Sequence, residues 1–235
     1  MDKLLWEPSP GPRRGPRPAF TVDDIARAAI AIADADGLGA VTMQRVADRL
    51  GVTKMALYRY VPGKAELVAL MLDLGLGDPP ARGDKGWRAA LDAWSRALFE
   101  EFAAHPWAIE AAVGARVMGP NELGWLEEAV AALTGTGLDG SEMLDVAVTL
   151  VGHVRSLAQQ TAGSPADTEA ALDEAIAGLI QGREDRFPAL AAAIAEARAG
   201  GKQDQALDFG LARILDGVGT LIAHRAGVTP AHPAP

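Results

Sequence analysis

The sequence predicts an all-α fold with a small N-terminal helical domain and a larger C-terminal one. Of its 235 residues, 49% are hydrophobic but only 5% are aromatic. Alanine and leucine are common and clusters of β-branched residues are few, a composition that favours helices. Apolar residues recur at steps of three and four along most of the chain, as on one face of a helix. Glycine and proline interrupt this pattern at intervals and divide it into separate helices.

The first twenty residues differ from the rest. Five prolines lie between residues 7 and 18, too many for a helix, so we expect a flexible Pro/Arg-rich arm over 1–20. Thr21 then has the position of a helix N-cap, and Asp23 and Asp24 follow in the first turn, where the helix dipole favours anions. This first helix is predicted to end at Gly37.

Two short helices follow in close succession. Thr42 is predicted to cap a helix over 43–50, and Thr53 a helix over 54–61, with Gly51 in the turn between them. Such a pair is a helix-turn-helix, in which the second helix enters the major groove of DNA.

A further helix begins at Lys64 and reaches a Gly/Pro/Asp-rich break over 75–86, the best domain boundary. We therefore expect one domain over 21–72, a second over 73–226, and a tail over 227–235. The second domain should contain helices near 86–104, 106–117, 120–134, 141–162, 166–181, 187–198 and 204–225. The stretch from Met143 to Leu157 is apolar nearly all round and should be enclosed. The last helix carries a long apolar stripe, which fits either intramolecular core or a subunit interface.

The charge is unevenly distributed. The net charge is −9, yet residues 1–70 hold ten Lys/Arg against eight Asp/Glu, whereas residues 71–235 hold twelve against twenty-three. Residues 42–64 contain five basic residues and one acidic residue, Asp48. A locally positive face on an acidic protein can bind phosphate while the rest repels it. An ordinary solvated charge cluster is the alternative.

Several function classes find no support. The chain has no cysteine, which excludes disulfides and thiolate metal sites, and it has no HExxH, GxSxG, Walker or GxGxxG motif. We therefore expect no catalysis, no cofactor and no metal. No apolar run approaches the roughly 20 residues that span a bilayer, and the N-terminus lacks a secretory h-region, so we expect a cytoplasmic protein without membrane contact. A helical protein-interaction adaptor without DNA binding is the alternative to a DNA-binding protein.

One continuous run carries a family resemblance. Residues 41–67, VTMQRVADRLGVTKMALYRYVPGKAEL, resemble the signature of the TetR family of bacterial transcriptional repressors, and the match extends over about 20–72. The distal motifs His105-Pro106-Trp107, Gly119-Pro120-Asn121 and Phe187-Pro188-Ala189-Leu190 are similar to the tetracycline-repressor branch. The resemblance implies an N-terminal three-helix helix-turn-helix DNA-binding domain and a C-terminal helical ligand-binding and dimerisation domain.

The resemblance also implies the residues that contact DNA. They lie in the two helices of the motif, at their caps and at the start of the next helix, and they are Thr42, Gln44, Arg45, Thr53, Lys54, Met55, Ala56, Tyr58, Tyr60 and Lys64. Lys54 can donate to guanine, and Met55 or Ala56 can pack against a thymine methyl group. Tyr60 replaces the usual family histidine, and packing against the first helix is the alternative role for both tyrosines. Arg13, Arg14 and Arg17 fit either a minor-groove arm or a disordered tail.

A ligand-responsive repressor is the function that the resemblance implies. It would bind a palindromic operator in double-stranded DNA as a homodimer, paired through the helices near 141–162 and 204–225, and a small hydrophobic effector would release it. The implied pocket residues are Trp94, Phe102, Trp107, Met118, Trp125, His153, Gln159 and Phe187. For each of these side chains, a place in the core is the alternative.

Overall fold

Helices make up almost all the regular structure in the residues that the computed structural model describes, which are 2–6, 20–114, 116–161, 168–200 and 206–227. The helices are α1 (Asp2–Trp6), α2 (Val22–Asp36), α3 (Met43–Leu50), α4 (Lys54–Tyr58), α5 (Lys64–Leu76), α6 (Trp87–Ala104), α7 (Pro106–Ala111), α8 (Pro120–Ala132), α9 (Gly140–Thr161), α10 (Thr168–Ile180), α11 (Pro188–Gly200) and α12 (Ala206–Arg225). A 3-10 turn over Leu38–Ala40 follows α2. The predicted all-α fold is confirmed. Within these ranges, no helix combines the length and apolar character needed to cross a membrane.

Helix α2 begins at a reciprocal cap. The backbone N–H of Asp24 donates to Thr21 Oγ1 over 3.1 Å, and Asp24 Oδ2 accepts from the backbone N–H of Thr21 over 2.8 Å. This capping box satisfies two backbone donors that a helix start leaves without partners. The apolar face of α2 is fully enclosed at Ile25, Ala29 and Ile32, so α2 forms the centre of the N-terminal domain.

Helices α3, α4 and α5 complete that domain around α2. Val46 and Ala47 of α3, Leu57 of α4 and Leu67 of α5 have no exposed surface, and α2 packs against both α3 and α5. The short helix α4 contacts α3. The buried residues all lie on one side of the helix-turn-helix, which leaves its other side to solvent.

Helix α5 belongs to both domains. It packs against α2 on one side and against α6, α7 and α8 on others, and it is apolar on nearly every face. Met71, Leu72 and Leu76 are buried, and so is the carboxyl group of Asp73. A helix that is apolar all round has to be enclosed, and here the C-terminal domain encloses it.

The C-terminal domain is built around α6, which packs against α8, α9 and α12. Leu91 of α6, Leu150 of α9 and Leu211 of α12 are all fully buried. Helices α10 and α11 pack against each other, and α11 has no buried residue.

Two helices end earlier than predicted. Helix α4 ends at Tyr58 rather than at residue 61, because Val61 precedes Pro62, whose ring disfavours helical backbone in the residue before it. Val61 turns inward and is fully buried. Helix α7 ends at Ala111 rather than at residue 117, and Gly114 follows with a φ of 89°, a left-handed conformation that stops a helix.

The expected flexible arm over 1–20 is wrong at both of its ends. Residues 2–6 form helix α1, in which Leu4 and Leu5 pack against the core. The indole N–H of Trp6 donates to the carbonyl of Met118 over 3.1 Å, and Phe20 is buried. Apolar side chains at these positions outweigh the polar, proline-rich composition between them. Residues 7–19, with Arg13, Arg14 and Arg17, lie outside the described residues, as does 228–235.

Candidate functional site

The turn between α3 and α4 is closed by its own backbone. The N–H of Gly51 donates to the carbonyl of Asp48 over 3.1 Å, and the N–H of Val52 donates to the carbonyl of Ala47 over 3.0 Å. This pair of bonds is a Schellman motif, which needs a left-handed residue at its centre. Gly51 supplies it with a φ of 67° and a ψ of 31°.

Threonine side chains cap both helices of the motif, as predicted. Thr42 Oγ1 accepts from the backbone N–H of Arg45 over 3.1 Å, and Thr53 Oγ1 accepts from that of Ala56 over 3.2 Å. Because each cap uses one backbone donor, other N–H groups at the two helix starts stay directed outward. Helix starts with free N–H groups attract anions such as phosphate.

Most of the predicted DNA contacts are exposed in the structure. Eight of the ten lie at the surface, and they are Thr42, Gln44, Arg45, Thr53, Lys54, Met55, Tyr58 and Lys64. Met55 is 72% exposed, more than any other large apolar side chain in the described residues. An apolar side chain left in water at the start of a recognition helix is suited to pack against a thymine methyl group.

Lys54 and Tyr58 are one helical turn apart and interact. The Lys54 ammonium lies 5.7 Å from the centre of the Tyr58 ring, a cation–π distance. The ring limits the positions that the lysine side chain samples, so its charge is held over the outer face of α4.

Two other predicted contacts are engaged within the protein. The side-chain amide of Gln44 donates to Asp48 over 2.8 Å, and Arg45 forms an ion pair with Asp36 at the end of α2. Both members of that pair are about half exposed, and exposed pairs contribute little to stability. Breaking the pair would therefore cost little.

Tyr60 and Ala56 are half-buried. The Tyr60 ring lies 4.8 Å from that of Phe20, centre to centre, so this tyrosine packs next to the start of α2. The sequence left this packing role open for Tyr60, and the structure supports it.

Four of the eight predicted pocket residues are buried, which fits the core role that the sequence left open for each of them. Trp94, Phe102, Trp107 and Trp125 are each 3–4% exposed. The indole N–H of Trp94 donates to the carbonyl of Trp125 over 2.9 Å, and a buried indole usually finds such a partner. Their low exposure fits a place in the core.

The other four pocket candidates are dispersed. Met118 and His153 are half-buried, and Gln159 and Phe187 are exposed. Gln159 lines a cleft between α7 and α9. The His153 ring lies against Gly210 of α12, where a Cβ atom would overlap it, and its buried Nε2 has no partner among the described residues.

Asp34 of α2 joins the two domains at α7. Its Oδ1 accepts from the indole N–H of Trp107 over 2.6 Å and lies 2.8 Å from His105 Nδ1. A carboxylate only accepts, so that nitrogen carries the hydrogen when Asp34 is ionised. Gly75 of α5 makes room for Trp107, since a Cβ atom there would lie 3.2 Å from the indole ring.

Asp73 of α5 joins the domains a second time, at the start of α8. Its Oδ1 accepts from the backbone N–H of Glu122 over 2.9 Å, and its carbonyl accepts from the side chain of Asn121 over 3.0 Å. Burial raises the pKa of Asp73 to about 6, and backbone bonding at the start of α8 acts in the opposite direction. A Cβ atom at Gly119 would overlap this carboxyl group, so the contact needs glycine there.

Two family models match this chain. Residues 25–71 match the bacterial regulatory proteins of the tetR family, and residues 79–222 match the tetracyclin repressor-like C-terminal domain. The chain belongs to the TetR family. Its DNA-binding region and its C-terminal helices are therefore those of a transcriptional regulator, as the resemblance predicted.

Named relatives support this assignment. The TetR-family chain is 36% identical over 236 residues to the HTH-type transcriptional repressor DrrR1 of Streptomyces coeruleorubidus, covering 96% of this chain and 87% of that one. It is 30% identical over 177 residues to an HTH-type transcriptional regulator of Saccharopolyspora erythraea, covering 74% and 75%.

A solved structure shares the fold. The TetR-family protein ActR of Streptomyces coelicolor, in complex with actinorhodin, superposes with a TM-score of 0.74 at 25% identity, covering 88% of this chain and 99% of that chain. Together, these likenesses confirm the predicted DNA-binding repressor and favour it over an adaptor.

Sequence reasoning missed the residues that join the two domains of this TetR-family protein. Asp34 lies 71 residues from His105, and Asp73 lies 49 from Glu122, so neither pairing leaves a local pattern. One signal was present at Asp73, a carboxylate between Leu72 and Leu74 within the apolar run of residues 67–76. A charged residue at such a position requires a polar partner.

Proposed function

We propose that this repressor binds a two-fold symmetric operator as a homodimer, with α4 of each subunit in the major groove. The observation that carries the proposal is the outer face of the helix-turn-helix, where capped helix starts, the Lys54–Tyr58 pair and exposed Met55 lie together. Lys64 is exposed at the start of α5, in position for an adjacent phosphate.

Exposed apolar residues support pairing through α9 and α12. Leu144 and Val148 of α9 are 47% and 66% exposed, and Phe209 of α12 is 65% exposed. The apolar stretch from Met143 to Leu157 was expected to be enclosed, and the chain alone does not enclose it. A second copy packed on both helices would cover these residues, forming a four-helix interface.

The contacts that Asp34 and Asp73 make between the two domains, here called the carboxylate joints, support control by a small hydrophobic effector. A ligand that fits one arrangement of α7 and α8 better than another shifts the population towards that arrangement. Trp107 would carry a shift of α7 to α2 through Asp34, and Asp73 would carry a shift of α8 to α5. The spacing of the two α4 helices in the dimer, and hence operator affinity, would change with them.

Selection from a random pool of duplexes tests the DNA-binding proposal. A selected consensus with two inverted half-sites about 10 base pairs apart, one helical turn, is expected. Affinity should fall steeply with salt, because phosphate contacts release counterions. A consensus without symmetry, or no enrichment at all, would contradict the dimeric operator complex.

Tyr58→Ala and Lys64→Ala test the surface itself. Both should weaken operator binding in a mobility-shift assay while sedimentation shows an unchanged dimer. Arg198→Gln is a matched control, because it removes an exposed charge from α11, outside the DNA-binding domain. Wild-type affinity in both test variants would remove these residues from the interface.

A further inference from the structure

A cleft of about 590 Å³ lies between α7 and the C-terminal half of α9. Pro106 and Ile109 of α7, and Val113 just beyond its end, present apolar surface on one side, next to the carboxylate of Glu110. The α9 side presents Arg155 and Gln159. Clefts of this volume hold ligands of drug-like size. A lining that combines apolar and polar side chains favours an amphipathic occupant.

Arg155 is set apart from the other arginines of the helical bundle. Helices α6, α9 and α12 carry five arginines, and four of them form ion pairs with carboxylates: Arg88, Arg96, Arg213 and Arg225. Arg155 is half-buried, and no carboxylate of the described residues lies within ion-pair distance of it. Since acids outnumber bases in this half of the chain, an arginine without one is unexpected.

The burial of Arg155 makes its charge effective. A partly desolvated guanidinium interacts more strongly with an anion than one in bulk water does, and it is less screened by salt. Glu110 also borders the cleft, but it is exposed, so solvent and salt weaken its opposing field. Of the two charged groups at the cleft, the half-buried guanidinium is therefore the one that acts more strongly on a bound ligand.

Gln159 adds a second polar group at a defined spacing. It lies four residues after Arg155 on α9, so the two side chains are neighbours about one helical turn, or 5–6 Å, apart on the same face. A guanidinium binds a carboxylate, sulfonate or enolate in a fork, and the amide both donates and accepts.

We propose that this cleft is the effector site and that it takes an aromatic or alicyclic organic anion. The anionic group binds Arg155, a second polar group binds Gln159, and the apolar body packs on Ile109 and Val113. This inference rests on the proposed function and adds the site and the charge of its effector. Pro106 at the rim directly precedes Trp107, which is bonded to Asp34, so an occupant contacts the helix that joins the two domains.

Two fluorescent probes of matched shape test the proposal on the full-length protein. Anilinonaphthalene sulfonate is an aromatic anion, and phenylnaphthylamine has the same rings without the sulfonate. The wild-type protein should bind the anion more tightly. Arg155→Gln should weaken anion binding by about tenfold, the loss of one charge-assisted contact, and leave the neutral probe unchanged. Arg155→Lys keeps the charge but loses the fork, so its affinity for the anion should lie between those of wild type and Arg155→Gln.

Arg198→Gln is again the matched control, since it removes the same charge from the same domain at an exposed position on α11. It should leave both probes unaffected. The proposal is overturned by no anion binding to the wild-type protein, by equal loss of both probes in Arg155→Gln, or by equal loss of the anion in Arg198→Gln. Unchanged far-UV dichroism and thermal unfolding confirm that each variant is folded.

Operator binding separates this inference from the proposed function. Arg155→Gln should bind the selected operator with wild-type affinity, and the sulfonate probe should release the wild-type complex at a lower concentration than the Arg155→Gln complex. If selection enriches no operator, the proposed function fails, while the probe comparison still decides the chemistry of the cleft. If release occurs at equal concentrations in both proteins, the cleft is not the effector site.

Discussion

The Asp73→Asn substitution is expected to stabilise the protein above pH 6, although it removes a charge from a helix start. Asp73 is 8% exposed, and burial raises its pKa from 3.8 to about 6. Between these values the unfolded chain loses its proton while the folded one retains it, so wild-type stability falls as pH rises. The full effect above pH 6 corresponds to about 3 kcal/mol.

Asparagine avoids this cost and keeps the hydrogen bond. Its Oδ1 can accept from the N–H of Glu122 as the carboxylate does, and its shape is nearly the same. The pKa of about 6 already includes the favourable backbone bonding at the start of α8, so that interaction is not subtracted again. The gain at about pH 8 should therefore be up to about 3 kcal/mol, and it should shrink as pH falls from about 6 to about 4.

Urea unfolding followed by circular dichroism, at one protein concentration and several pH values, measures this difference. A fixed concentration is needed because the stability of a dimer depends on it. Asp78→Asn is the matched control, since Asp78 is exposed two residues beyond α5. A difference between Asp73→Asn and wild type that does not change with pH, or a less stable variant at about pH 8, would refute the account of Asp73.

Three further predictions concern the motif and the joint. Gly51→Ala should lower stability by about 1–2 kcal/mol in thermal unfolding, because alanine disfavours a φ of 67°. The control Gly39→Ala, at an ordinary φ and with as much free space, should be near neutral. Equal losses in the two variants would argue against backbone strain at Gly51. Lys64→Ala should reduce the slope of log affinity against log salt by about one in operator titrations, and an unchanged slope would exclude a phosphate contact. Trp107→Phe should leave Asp34 without its indole donor and cost about 1–2 kcal/mol; no loss of stability would show that this bond contributes little.

The helix-turn-helix could be predicted from sequence because its determinants are local. Thr42 and Thr53 cap helices through backbone groups three residues away, and Gly51 acts on its own turn. Each of these interactions is decided by residues within one helical turn, so the local sequence is enough to predict it. The exposed positions then follow from helical periodicity.

The effector region could not be predicted in the same way. Aromatic residues between helices fit a pocket and a core equally well, and Trp94, Trp107 and Trp125 were placed by partners far away in the chain. Each indole N–H found an acceptor in another helix or at its end: Trp107 at Asp34, and Trp125 at the carbonyls of Leu76 and Gly77. Only the tertiary structure determines whether such an acceptor is within reach. An indole whose N–H has an acceptor can be buried in the core.

The nature of the domain joints bears on how a ligand signal could cross them. Apolar contacts tolerate small sliding, because dispersion and burial change gradually with position. A carboxylate that accepts from two donors, as Asp34 does from α7, holds one arrangement, since a shift of about 1 Å breaks its bonds. The two domains are thus held by directional contacts at α7 and α8, with apolar surface between them. A displacement of α7 must either move α2 with it or break both bonds to Asp34, so the joint favours a discrete change over a continuous one.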